Sequence, residues 1–217
     1  MYIKKITEGK VGVESPVAIF SVGSAGSGKS TLATTYAGYC FPGRDFVNFD
    51  VDAIIEIVEP EYNRLIDIKT GKKINAGWPY SYINCLNKVL DDHGNDLLHN
   101  IAKNKYNLII HSHNPHDIIE LQLYGYECHM LYVIADEKIA IKRSALRAEK
   151  TGRFVTVDKG NAWGWKPIVH KHEKFYKSNV PWMANNCETV AIVNNNKENY
   201  TPLIEEFRII DMHPGDV

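Results

Sequence analysis

Residues 17–32, V-A-I-F-S-V-G-S-A-G-S-G-K-S-T-L, carry the strongest signal in this chain. They fit the phosphate-binding pattern G-x-x-x-x-G-K-[ST], whose fixed positions are here Gly23, Gly28, Lys29 and Ser30. An apolar run precedes the pattern and a run typical of a helix follows it, which is the context that such a loop requires. The segment therefore predicts a buried strand, a phosphate-binding loop and a helix, in that order.

The residue types in this loop follow from what a polyphosphate needs. Gly23, Gly26 and Gly28 allow backbone conformations closed to residues with a Cβ, so that successive N–H groups can point at one anion. The N-terminus of the next helix faces the same anion. We expect Lys29 to reach the β- and γ-phosphates of ATP, and the Ser30 hydroxyl to ligate Mg²⁺. The predicted nucleotide-binding residues are Gly23, Ser24, Ala25, Gly26, Ser27, Gly28, Lys29, Ser30 and Thr31.

Length, charge and cysteine usage limit the class of protein. The chain has 217 residues and a formal net charge of −1, from 25 basic and 26 acidic side chains, so no global field favours nucleic acid or a membrane surface. Its four cysteines show no CxxC spacing, which argues against a zinc ribbon or a disulfide framework. We find no apolar leader and no run of membrane-spanning length. We therefore expect a cytoplasmic protein that does not associate with membranes.

Strand and helix patterns alternate along the chain. Because such alternation is typical of a parallel sheet covered on both faces, we predict an α/β fold: a three-layer sandwich of the P-loop NTPase type, with a mainly parallel five-stranded sheet and helices on both faces. A single domain spans residues 1–217. The predicted strands are 17–22, 46–49, 108–110, 128–134 and 189–193, and the predicted helices are 31–40, 53–58, 81–103, 115–124, 136–149, 166–179 and 202–209.

Two carboxylates follow the second predicted strand. Alternation along an extended segment places Asp50 and Asp52 on the same side, at the carboxyl edge of the sheet where ligands bind. We expect Asp50 to hold Mg²⁺ and to lie beside the substrate, and Asp52 to accept the proton of an attacking hydroxyl. The alternative is that one of them only caps the helix predicted after them.

The third predicted strand ends in a histidine cluster over residues 111–116. It lacks the acid that a Walker-B ATPase or GTPase carries there, which argues against a motor or a switch. His111 and His113 fall on one face and suggest two interpretations, a metal site or the lining of an acceptor pocket. We favour the pocket, because Pro115 offsets the third histidine, His116, from the other two.

An arginine-bearing segment, I-K-R-S-A-L-R-A-E-K-T-G-R, occupies residues 141–153. P-loop kinases carry a mobile lid at this place, and we predict one near 143–160. Planar guanidinium groups spread the negative charge of a phosphoryl group in transfer, which is the role we expect for Arg147 and Arg153. Arg143 is predicted to lie on an ordinary solvated helix face.

These segments, in this order, resemble the zeta-toxin-like P-loop kinases. The similarity covers about residues 15–160 and rests on G-S-A-G-S-G-K-S-T-L (23–32), F-D-V-D (49–52), N-L-I-I (107–110) and A-L-R-A-E-K-T-G-R (145–153). It implies that Asp52 is the base toward a sugar hydroxyl and that Arg147 and Arg153 contact ATP. The best-known members phosphorylate UDP-N-acetylglucosamine, which they hold with a Glu-Gly-Thr-like element. The chain departs from them there, with His111, Ser112 and His113.

The sequence thus predicts an ATP- and Mg²⁺-dependent kinase whose catalytic residues are Lys29, Asp52, Arg147 and Arg153. The acceptor is predicted to be a hydroxyl of a small molecule, either a nucleotide-sugar or a nucleoside or nucleotide, bound near Asp50, His111 and His113. Two alternatives stay open: a kinase acting on a nucleic-acid hydroxyl, and a non-catalytic nucleotide-binding protein. The sequence does not identify an inhibitory protein partner.

Overall fold

The computed structural model describes residues 2–50, 97–111, 114–151, 179–196 and 208–210. Several predicted features lie outside these residues: the helix at 53–58, nearly all of the helix at 166–179, most of the helix at 81–103, and the side chains of Asp52, His113 and Arg153.

A single sheet organises the described residues. Its strand order is β2-β3-β1-β4-β5-β6; the first five strands are mutually parallel, and β6 runs antiparallel to β5. The five parallel strands confirm the predicted sheet. The strands are β1 (Val17–Gly23), β2 (Phe46–Phe49), β3 (Asn107–Ile110), β4 (Glu127–Ile134), β5 (Thr189–Asn194) and β6 (Arg208–Ile210).

The sixth strand corrects one prediction. Residues 208–209 were assigned to a final helix at 202–209, but Arg208–Ile210 pairs with β5 instead. A short apolar run fits either state, and here the unpaired edge of β5 offers backbone partners that decide it. The remainder of that predicted helix lies outside the described residues.

Helices connect the strands where alternation predicts them. Those after β1, β3 and β4 begin within two residues of the predicted positions, and the helix after β3 opens with Pro115 while Asn114 Oδ1 accepts from His116 N at 3.2 Å. Residues 179–185 are also helical, and of these only residue 179 falls within a predicted helix. The named helices are α1 (Tyr2–Ile6), α2 (Lys29–Cys40), α3 (Leu97–Ala102), α4 (Pro115–Leu123) and α5 (Glu137–Thr151).

The core lies on both faces of the central strand β1, all of whose residues are buried. Ala18, Phe20 and Val22 pack in one cluster with apolar residues of α3 and α4. Val17 and Ile19 pack in the other with Leu32, Ala33 and Tyr36 of α2. Because successive side chains of a strand point to opposite faces, this division gives the predicted three layers. No helix among the described residues is long and apolar enough to cross a bilayer.

Candidate active site

The phosphate loop, residues 23–30, connects the carboxyl end of β1 to the first turn of α2. Gly28 is the N-cap of α2 with φ of 89°, and no side chain caps that helix end. The first N–H groups of α2 are therefore oriented toward the same space as the loop, with the positive end of the helix dipole behind them. This geometry suits a phosphate group.

Two glycines of the loop are required by space as well as by backbone conformation. A Cβ on Gly26, whose φ is 78°, would collide with Ala140 O and Ser144 Oγ of α5. A Cβ on Gly28 would lie 2.5 Å from Asn195 Nδ2. The loop is thus packed closely against α5 on one side and against the residues after β5 on the other.

Lys29 lies over this loop. Its Nζ donates to Ser24 O at 3.4 Å, and its own carbonyl accepts from Ser21 Oγ at 3.1 Å. The ammonium group therefore lies beside the backbone of the loop that is predicted to hold a phosphate. Ser30 and Thr31 follow in the first turn of α2 and are exposed.

Asp50 and His111 follow the neighbouring strands β2 and β3. Phe49 pairs with Ile110, and His111 N donates to Phe49 O at 3.2 Å, so both side chains leave the sheet at the same level. Since β3 lies between β2 and β1, His111 stands between Asp50 and the phosphate loop.

The His111 ring is hydrogen-bonded to the neighbouring strand β2. Its Nε2 donates to Asn48 Oδ1 at 2.9 Å. Burial lowers the pKa of His111 below its ordinary value, against the opposing effect of Asp50, and Lys29 lowers it further. The lowered pKa favours the neutral form of His111 at pH 7, and Asp50 and Lys29 both act on the ring electrostatically.

The residues at this edge fit a magnesium ion by their chemistry. The Ser30 hydroxyl and the Asp50 carboxylate are hard oxygen ligands of the kind that Mg²⁺ prefers. Asp50 directly follows β2, and Ser30 lies in the first turn of α2 at the end of the phosphate loop, so both lie at the carboxyl edge of the sheet. Among the described residues no three His, Cys, Asp or Glu side chains gather into a metal-binding group, so the histidine interpretation as a metal site gains no support from that part of the chain.

Arg143 does not lie where the sequence predicted it. Instead of facing solvent from α5, its guanidinium is half-buried: Nη1 donates to Asn195 O at 2.8 Å and to Ser27 O at 3.4 Å, and Nη2 donates to Asn195 Oδ1 at 3.4 Å. The side chain is long enough to reach back over the turn to the phosphate loop. Arg147 is exposed, one turn further along α5, so it shares the loop-facing side of the helix with Arg143.

Asn195 is the described site residue that sequence reasoning missed. It is buried, and its Nδ2 donates to Ser27 O at 2.8 Å. The available signal was the polar run Asn194–Asn195–Asn196 directly after an apolar strand, at the sheet edge where ligands bind.

A cavity of about 410 Å³ lies at the opposite, amino edge of the sheet. Its lining includes Arg44, Asp45 and Asn107, near the starts of β2 and β3, and it is remote from the phosphate loop.

The Zeta toxin family model and one solved structure with a TM-score above 0.5 agree with this fold. The Zeta toxin family model matches residues 3–197. A solved structure from the PezAT chromosomal toxin-antitoxin system of Streptococcus pneumoniae is 17% identical, covers 89% of this chain and 73% of that chain, and has a TM-score of 0.59. A shikimate kinase from Bacteroides thetaiotaomicron is 14% identical, with coverages of 85% and 89% and a TM-score of 0.42. A gluconokinase from Sinorhizobium meliloti is 15% identical, with coverages of 88% and 86% and a TM-score of 0.37. No curated protein matches.

Proposed function

Because the chain belongs to the zeta toxin family, we propose that it is an ATP- and Mg²⁺-dependent kinase that transfers the γ-phosphate to a hydroxyl of a small molecule. The observation that carries this proposal is the placement of the Lys29 ammonium over a glycine loop at an uncapped helix N-terminus. Asp50 and His111 at the adjacent strand ends supply the second side of the site.

Each part of the loop has a role in phosphoryl transfer. The N–H groups of the phosphate loop and of the first turn of α2 bind the phosphate oxygens. Lys29 places a positive charge where negative charge increases as the γ-phosphate leaves. Ser30 and Asp50 would hold Mg²⁺, which when bound neutralises phosphate charge. Arg147 and Arg153 are proposed to spread the charge on the transferring group.

The acceptor side is proposed to centre on Asp52 as general base. It takes the proton of the attacking hydroxyl, so that the oxygen can attack the phosphorus in line with the leaving ADP. His111 and His113 are proposed to line the acceptor pocket. A neutral His111, whose Nε2 donates to Asn48, adds no positive charge of its own to the proposed acceptor side.

A nucleotide-sugar or a nucleoside or nucleotide is the proposed acceptor, with a nucleic-acid hydroxyl as the alternative. The near-zero net charge gives no support to nucleic acid. Among the described residues, Cys40, Cys128 and Cys187 are free thiols, which fits the proposed cytoplasmic location. The pneumococcal structure comes from a toxin-antitoxin system, and co-purification would test whether this chain also has an inhibitory partner.

The test is transfer of labelled γ-phosphate from ATP to a panel of nucleotide-sugars, nucleosides and oligonucleotides. We expect turnover that depends on one acceptor class and falls about 100-fold or more in Lys29→Ala. Asp52→Asn should keep ATP binding and lose transfer. Lys138→Ala, an exposed lysine of α5, is the matched control.

Two outcomes would contradict the proposal. Full transfer by Lys29→Ala would exclude the phosphate loop as the catalytic element. ATP binding by the wild type with no transfer to any acceptor would instead favour a non-catalytic nucleotide-binding protein.

A further inference from the structure

One backbone carbonyl of the phosphate loop, that of Ser27, is held by two side chains from distant parts of the chain. Asn195 Nδ2 donates to it at 2.8 Å, and Arg143 Nη1 donates to it at 3.4 Å. The two residues are also bonded to each other, because Arg143 donates both to Asn195 O and to Asn195 Oδ1. Neither interaction belongs to the phosphate-binding pattern itself.

The orientation of this carbonyl matters for anion binding. In a peptide unit the C=O and N–H groups point in opposite directions, so fixing the Ser27 carbonyl outward fixes the Gly28 N–H toward the inside of the loop. A carbonyl oxygen that turned inward would present negative partial charge to the phosphates. The two donors therefore favour the anion-binding form of the loop over that alternative.

Asn195 is itself held in place. Its N–H donates to Ile134 O at 2.8 Å at the end of β4, and the adjacent Asn196 accepts from Asp136 N at 2.6 Å through Oδ1. The turn after β5 is thus bonded to the end of β4, to the beginning of α5 and to the loop. A side chain anchored in this way loses little further freedom when it holds its partner.

We propose that Arg143 and Asn195 are positioning residues that hold the phosphate loop in its polyphosphate-binding conformation. They act through the Ser27 carbonyl and not by touching the nucleotide. The inference rests on the proposed function in that it requires the loop to bind a polyphosphate. It adds that this affinity depends on a side chain of α5 and on one from the turn after β5.

The variants Asn195→Asp and Arg143→Met separate this role from others. Asn195→Asp keeps the shape and the Oδ1 acceptor but places an oxygen where the Nδ2 donor faces Ser27 O. Arg143→Met keeps much of the length and removes all three donations. Asn185→Asp and Lys138→Met change exposed residues and serve as controls.

Isothermal titration measures binding of ATP and of inorganic tripolyphosphate to each folded variant. We expect both affinities to fall about tenfold or more, equivalent to about 1.4 kcal/mol, and by a similar factor for the two ligands. KM for ATP should rise accordingly, with kcat within about threefold of the wild type. Because both residues act on one carbonyl, the double variant should lose little more than the weaker-binding single variant. Arg143→Lys should recover part of the affinity.

The outcomes distinguish this inference from the function on which it rests. A wild type that binds neither ATP nor tripolyphosphate overturns both. A wild type that binds them, with Asn195→Asp binding equally well, overturns the positioning role alone. Loss of ATP affinity with unchanged tripolyphosphate affinity also overturns it, since the effect would then act on the nucleoside. Should Arg143→Met not fold, Asn195→Asp and Arg143→Lys decide the matter.

Discussion

Gly28 and Gly38 lie at the two ends of the same helix but have very different surroundings. Gly28 caps α2 with positive φ and lies against Asn195. Gly38 is exposed near the other end of α2, and a methyl group added to it would have no atom of the described residues within 4 Å apart from its chain neighbours and the nearby backbone of its own helix. The difference lets one substitution type, Gly→Ala, report separately on the loop and on the helix.

Gly28→Ala is expected to impair the loop. The added methyl group would meet Asn195 Nδ2, and an L-residue at this φ costs about 1–2 kcal/mol. We expect ATP affinity to fall about tenfold or more as the loop shifts. Titration with ATP measures the effect, and unchanged affinity would show that the loop accommodates a side chain at this position.

Gly38→Ala is expected to raise the free energy of unfolding and to leave ATP affinity unchanged. Replacing an exposed glycine inside a helix by alanine stabilises by about 0.5–1 kcal/mol, because the unfolded chain loses freedom and no contact is disturbed. Urea unfolding of the variant should show a higher midpoint at the same slope. A destabilised variant would mean that α2 is strained at this residue.

At the level of elements, Asn107 joins three strands at the amino edge of the sheet. It is 2% exposed; its Oδ1 accepts from Val17 N at 3.0 Å, and its Nδ2 donates to Asp45 O at 3.1 Å. The side chain thus bonds the first N–H group of β1 and the carbonyl of Asp45, which directly precedes β2. Its role is to fix the start of the central strand.

Asn107→Ala should therefore destabilise the fold. Leaving the buried Val17 N–H without a partner costs about 1–3 kcal/mol. Denaturant unfolding measures this loss, and Asn104→Ala, at an exposed position of the same region, is the comparison. ATP affinity should stay unchanged, since Asn107 lies at the edge opposite the phosphate loop. Equal stability of the two variants would contradict the role assigned to Asn107.

Element prediction succeeded where local pattern decides the structure. β1 to β5 were identified from apolar runs, and α4 from the proline at its start. α1 is only five residues long, too short for a periodic pattern, and was missed. The residues of β6 form a strand because they pair with β5, and a short stretch of sequence around them does not contain that partner.

At the level of the whole molecule, the site could be predicted only in part. Lys29, Asp50 and His111 converge because all follow strands of one parallel sheet, and a strand end is visible in sequence. Arg143 and Asn195 reach Ser27 across separations of 116 and 168 residues. Those contacts depend on strand order and on how far a side chain reaches, and neither is visible in a local stretch of sequence. An arginine in a charged helix is ordinarily expected to face solvent, which is why Arg143 was predicted to do so.

Whole-molecule stability should also respond to pH through His129, near the beginning of β4. Its side chain is 5% exposed, its Nδ1 bonds Thr189 Oγ1 at 2.8 Å, and Glu127, Glu188 and Arg44 are the charged groups that act on it. Burial lowers the pKa of His129, and this outweighs the attraction of Glu127, whose side chain is 54% exposed.

The sign of the effect follows from linkage. The unfolded chain takes up a proton at His129 near pH 6.5, whereas the folded protein does so only at lower pH, so acidification favours unfolding. We expect the free energy of unfolding to be largest above pH 6.5 and to fall between about pH 7 and pH 5. His129→Gln should flatten this dependence while lowering stability at pH 7.5, because the Phe41 ring, whose centroid lies 4.9 Å from that of the imidazole, loses its partner. Urea unfolding of both proteins across this range is the measurement. A variant whose pH dependence matches that of the wild type would assign the effect to other groups.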